Sequence, residues 1–122
     1  MISQAIQTKL VALIPRTYFS IGDEDIQAPY CVHRENCVGY SEHKAGSKEY
    51  TYEVEIAIIE DKPGELETLA NSVRAAITAL EGQTTNSTYI QDVTYMGDTP
   101  EYDDEEKLYV TVLRYSITTT NR

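Results

Sequence analysis

From Leu66 to Leu80 the chain sets Leu66, Leu69, Ala70, Val73, Ala76, Ile77 and Leu80 at intervals of three and four. That spacing puts all seven on one stripe of a helix, so the segment must fold as a helix laid on an apolar surface. Arg74 and Glu81 fall outside the stripe, and Gly82 suits the left-handed position past the helix end. What lies before it supplies the surface. Tyr50, Tyr52, Val54, Ile56 and Ile58 alternate with Thr51, Glu53, Glu55, Ala57 and Ile59. Period two marks a strand, half-exposed at first and apolar on both faces later. Asp61-Lys62-Pro63-Gly64 turns one element into the other, and proline fits the first helical turn.

The other elements follow from weaker signals. Ile6, Leu10, Leu13 and Ile14 predict a helix over Ser3 to Ile14, with Ser3 as its cap and Pro15 as its stop. Asp23-Glu24-Asp25 reads as a small acidic turn. Pro29 to Arg34 reads as a strand in which Tyr30, Val32 and Arg34 point one way and Cys31 and His33 the other. Glu35 to Lys48 reads as a mobile polar loop with Gly39 and Gly46. Thr88 to Met96 and Lys107 to Thr119 read as two further strands, the second rich in β-branched and aromatic residues. The expected order is α-β-β-α-β-β. This is an α+β domain spanning residues 1–122, with one mostly antiparallel four-stranded sheet and both helices on one face.

Between the last two strands runs Asp98-Thr-Pro-Glu-Tyr-Asp-Asp-Glu-Glu106. Asp98, Glu101, Asp103, Asp104, Glu105 and Glu106 carry much of a formal net charge of -10. Such a run is a metal site, an electrostatic contact surface or a solvated turn. A calcium loop needs alternate acids, a glycine and a distant glutamate between helices, and none of that spacing is present. Two-metal enzymes gather carboxylates from separate rigid elements, not from one loop. No metal site and no cofactor is assigned. The acidic balance also argues against direct grasping of phosphate, which needs a basic patch.

Cys31, His33, Cys37 and His43 lack the spacing of a structural zinc site. No serine or cysteine stands in the setting of a nucleophile, so no catalytic residue is assigned. No signal peptide or membrane-length apolar run is visible, so a soluble protein made in a cytoplasm is expected. The two cysteines suit free thiols there. Asn86-Ser87-Thr88 matches a glycosylation acceptor, which carries no weight without a secretory signal. Ten tyrosines against one phenylalanine and no tryptophan suit positions that are half dry and half in contact. Tyr50, Tyr52, Tyr109 and Tyr115 are thus candidate interface aromatics. Glu42, His43, Lys44, Ser47 and Lys48 form a candidate assembly loop.

Four passages resemble the small tail-completion, or tail-terminator, proteins of long-tailed phages and prophages. They are the first helix ending at Ile14-Pro15, the strand Pro29 to Arg34, the strand Tyr52 to Ile59 leading into the helix Leu66 to Leu80, and the acidic passage Glu101 to Val110. The resemblance implies a structural protein without enzymatic activity. It implies a ring, hexameric in the family manner, that caps the head-proximal end of the tail tube and stops its polymerisation. The implied partners are the chain itself, the major tail-tube protein and the head connector, with DNA passing through the ring unbound. The implied location is the virion tail, assembled in a bacterial cytoplasm. No functional residue transfers from the family to a numbered position. Two other classes fit a small acidic chain: a DNA-mimic inhibitor, which would spread its acids over a face, and a small divalent-metal-dependent enzyme.

Overall fold

The computed structural model describes residues 2–19, 28–44, 46–85 and 87–121. The acidic turn at Asp23 to Asp25 and Asn86 of the glycosylation triplet lie outside them. The elements run α1 (Ile2–Leu13), β1 (Thr17–Phe19), β2 (Tyr30–Glu42), β3 (Lys48–Glu60), α2 (Pro63–Thr78), β4 (Thr84–Thr85), β5 (Thr88–Asp103) and β6 (Leu108–Asn121). All six strands join one sheet in the order β1-β2-β3-β6-β5-β4. It curls as a half-barrel.

This corrects the expected four-stranded antiparallel sheet. β1 pairs in parallel with β2, so the sheet is mixed, and β4 adds a second edge. Strands of three and two residues show no periodicity, which is why the sequence pattern hides them. The first helix starts at Ile2, so Ser3 lies inside it and is not its cap. The expected loop after Arg34 is strand up to Glu42, and β5 runs to Asp103 instead of ending at Met96. Most residues of both extensions are exposed, so they lack a burial pattern. Their order comes from long antiparallel ladders with β3 and β6.

One core holds the molecule together. α1 contributes Ile2, Ile6 and Leu10, α2 contributes Leu66, Ala70, Val73 and Ile77, and the sheet contributes Cys31, Val54, Ile56, Ile58, Ile90, Leu113, Tyr115 and Ile117. The helix stripe therefore lands on the even-numbered face of β3, as period two requires. At the end of α2, Gly82 adopts a φ of 84° and donates its N–H to the Ile90 carbonyl at 2.7 Å, tying the helix exit to β5.

Three bulges shape the sheet. The register shifts at Val38 in β2 and at Gln91 and Met96 in β5. Each extra residue bends its strand and reverses which face later residues occupy. Met96 puts Tyr95 and Asp98 on the same face, opposite Tyr115 and Leu113. In an unbroken strand, residues three apart would point to opposite sides.

Candidate functional site

Among the acids, the structure separates roles that the sequence groups together. Asp98 is on β5 and faces α2. Its Oδ2 accepts from Arg74 at 2.5 Å and from the Tyr95 hydroxyl at 2.9 Å, while Arg74 also donates to Asn71 Oδ1 at 2.7 Å. The Tyr95 hydroxyl first, then Arg74, holds the Asp98 carboxyl below its usual pKa. This acid fastens the helix to the strand. Glu101 lies on the opposite face of β5. Asp103 makes the turn: its Oδ1 accepts the backbone N–H groups of Glu105 and Glu106 at 3.0 and 3.2 Å. Asp104, Glu105 and Glu106 sit in the four-residue turn itself, exposed, with Lys107 at a φ of 55°. The expected nine-residue acidic loop is thus mostly strand, with a short acidic tip. Among the described residues, no three His, Cys, Asp or Glu side chains gather as metal ligands.

The expected assembly loop is a tight hairpin. Glu42 pairs with Lys48, His43 N–H donates to the Ser47 carbonyl at 2.9 Å, and Gly46 at a φ of 87° closes the turn. His43 Nε2 lies 3.9 Å from Glu49 Oε2. With Ser47, Thr84, Ser87, Tyr89, Gln91 and Thr120 these residues border an open polar cleft of about 680 Å³.

The four candidate tyrosines divide. Tyr115 is 2% exposed and belongs to the core, which corrects its assignment to an interface; burial pushes its pKa up to about 12. Tyr52 and Tyr109 pack partly against the core. Tyr50 is partly buried, 5.1 Å from the Tyr40 ring and 6.3 Å from the Tyr52 ring. The aromatic residues that do reach the surface are others: Tyr40, Tyr89, Tyr95 and Tyr102.

Sequence reasoning also missed a buried polar cluster. His33 Nδ1 is 2.6 Å from Glu35 Oε1, and His33 Nε2 is 2.5 Å from Gln7 Oε1. The side chains of His33 and Glu35 are 0% and 1% exposed. Gln7 donates its amide to the Thr17 carbonyl at 3.2 Å, so α1, β1 and β2 are pinned together through this set. Its signal in the sequence was the pair His33 and Glu35 at strand spacing, both on the core face. Cys31, also on that face, is fully buried, and burial raises its thiol pKa to about 12. Cys37 is exposed on the far part of β2.

The strand edges are the most distinctive surface. β1 covers β2 only from Cys31 to His33. β4 covers β5 only at Thr88 and Tyr89; Gln83, Gly82 and Glu81 satisfy backbone groups of Ile90 and Val93 beyond it. Among the described residues, Arg34–Glu42 of β2 and Thr94–Asp103 of β5 therefore have no partner strand on their outer sides. Exposed large apolar or aromatic side chains concentrate there: Val38, Tyr40, Tyr95, Met96 and Tyr102. Val38 and Met96 are bulge residues, 55% and 62% exposed. Both also border a groove of about 320 Å³ whose other residues include Glu53, Glu55, Arg114 and Ser116.

No family model matches the sequence, and no curated protein matches it. The fold does have a counterpart. A curled mixed sheet with two helices also forms a chain in a solved structure described as the virion of a native gene transfer agent (GTA) particle. The two superpose with a TM-score of 0.75 over 97% of this chain and 93% of that one, at 12% sequence identity. The shared property is the fold.

Proposed function

We propose that this chain is a structural protein of a phage-like virion, and specifically a tail-completion protein. In this reading it assembles into a ring, caps the head-proximal end of the tail tube, stops tube growth and offers the surface that the head connector joins. The observation that carries the proposal is the end-to-end match to a virion chain, with nearly all of both chains superposed. The sequence passages that resemble tail terminators support the finer assignment. So does the surface: its two bare strand edges and their apolar side chains suit a subunit with neighbours.

The proposal includes no catalytic step and no cofactor. DNA is a passenger here, not a ligand. The acidic tip at Asp103, Asp104, Glu105 and Glu106 is assigned to the ring channel, where its charge keeps the DNA backbone from sticking. Changing these four to Asn or Gln is expected to slow genome ejection while rings still form; unchanged ejection removes the tip from the channel.

The direct test uses a tail-tube protein from the same phage or prophage. Added in amounts well below the tube protein, the purified chain is expected to halt tube elongation at one end. Elongation that continues at an unchanged rate, with the chain bound nowhere on the tube, overturns the reading.

A further inference from the structure

The bare edges are complementary to one another. On β2 the free stretch Arg34–Glu42 occupies the half of the strand far from β1. On β5 the free stretch Thr94–Asp103 occupies the half far from β4. Pairing across the sheet sets His33 level with Ile56, Leu113 and Asp98. The two free stretches are thus centred towards opposite ends of the sheet, level only where Arg34–Asn36 match Thr94–Gly97, and they lie on opposite edges, so one does not cover the other within a copy.

We infer that the β2 edge of one copy pairs with the β5 edge of the next, extending one antiparallel sheet from copy to copy. The inference rests on the self-assembly in the proposed function and names its contact. Strand direction agrees: β2 and β6 run one way and β3 and β5 the other, so β2 beside a neighbour's β5 continues the alternation. The free stretches match in length. Centring them shifts neighbours by about five residues, roughly 16 Å, over four strands spaced about 4.8 Å apart; that stagger tilts the strands by roughly 40°, within the range of closed barrels. A contact of one edge with a different edge is head-to-tail, and a ring is its closed form.

Side chains favour the same register. Antiparallel pairing brings Arg34 towards Asp103 on one face and, past the Val38 bulge, sets Tyr40 level with Asp98 on the other. Among the described residues Arg34 is paired with Glu55 alone, at 3.4 Å, and both are about half exposed, so its charge is available. The β2 edge is the less acidic of the two, carrying Arg34 with the buried Glu35 and the exposed Glu42, against Asp98, Glu101 and Asp103 on β5. Pairing would also cover Val38, Tyr40, Met96 and Tyr102. Pro100 offers no N–H, so it costs this edge one ladder bond. It costs a β5-to-β5 contact twice as much, because each strand would bring its own proline.

The chain carries its own probe. Cys37 is exposed on the β2 edge, and Cys31 is buried. Pro100 and Tyr102 occupy the matching face of β5. Opposed β residues approach closely enough for a disulfide. Single variants Pro100→Cys and Tyr102→Cys are mildly oxidised at high protein concentration. Linked dimers and longer ladders are expected. They are expected to vanish with Cys37→Ser and with the edge-charging pair Val38→Lys and Met96→Lys, whose exposed sites leave the fold intact by circular dichroism. Glu67→Cys on α2 controls for random collision. No linkage, or equal linkage from Glu67→Cys, overturns the pairing. If tube growth is halted but no linkage forms, edge pairing alone fails. If neither occurs, the proposed function fails with it.

Discussion

The helix-covered centre of the sheet and its two bare strand edges obey different rules. At the centre, Ile56, Ile58, Leu113 and Ile117 are 0% exposed and meet two helices across a single core. Their alternation is strict and stability resides there. Along the edges the strands are as long, but each is broken by a bulge, carries a glycine beside it and exposes apolar side chains. The centre is built to be finished within one chain. Among the described residues, the edges leave backbone groups unpaired and apolar side chains exposed.

That contrast can be broken most forcefully at the centre. Ile56→Ala removes a fully buried side chain and is expected to cost about 2–5 kcal/mol in chemical denaturation. A loss below about 1 kcal/mol would mean that the centre is not the stabilising core. Tyr115→Phe should act in the opposite sense. The Tyr115 hydroxyl is buried without a hydrogen-bond partner among the described residues. Removing it is expected to leave stability unchanged or raise it by up to about 1 kcal/mol. The pH profile gives a second check. Burial raises the folded pKa of Tyr115 above its ordinary value of 10.0 to about 12, so the wild type loses stability as pH climbs through that interval. Tyr115→Phe is expected to lose less, and an identical alkaline limb would contradict its burial.

Asp98 joins the two regions, since Arg74 of α2 holds it on the β5 edge. Its pKa is lowered from 3.8, so its contribution is present above that value and disappears as pH falls through the lower, folded one. Asp98→Asn is expected to reduce stability modestly at neutral pH and to flatten the acid limb of the melting curve. If the acid limb stays as steep, the Arg74 contact is not what stabilises the carboxylate. The smallest expected effect is at the edges. Val38→Lys with Met96→Lys should move stability by no more than about 0.5 kcal/mol, because both sites face solvent in a single copy. A larger loss would mean that the bulges belong to the monomer's own packing.

The same division explains what the sequence made legible. The Leu66 to Leu80 stripe and the Tyr50 to Ile59 alternation are burial patterns, and they appear in α2 and β3 close to where they were expected. β1 and β4 are too short to have a pattern. The far halves of β2 and β5 are water-facing, so their polar residues resemble loops; their strand character comes from backbone pairing to β3 and β6, which composition does not encode. The acidic run misled for the same reason. Asp98 looked like one acid of six, yet a bulge two residues earlier turns it towards Arg74. Tyr115 looked like Tyr50, because alternation gives the face of a side chain but not whether a helix lies over it.

The role proposed for this chain is to end a tube and join it to a head. It is tested most directly by measuring tail lengths in electron micrographs of particles made with the chain's gene disrupted. The account expects tails that overrun the normal length and heads left unattached, both reversed when the intact gene is restored. Tails of normal length joined to filled heads in the absence of the chain would contradict it.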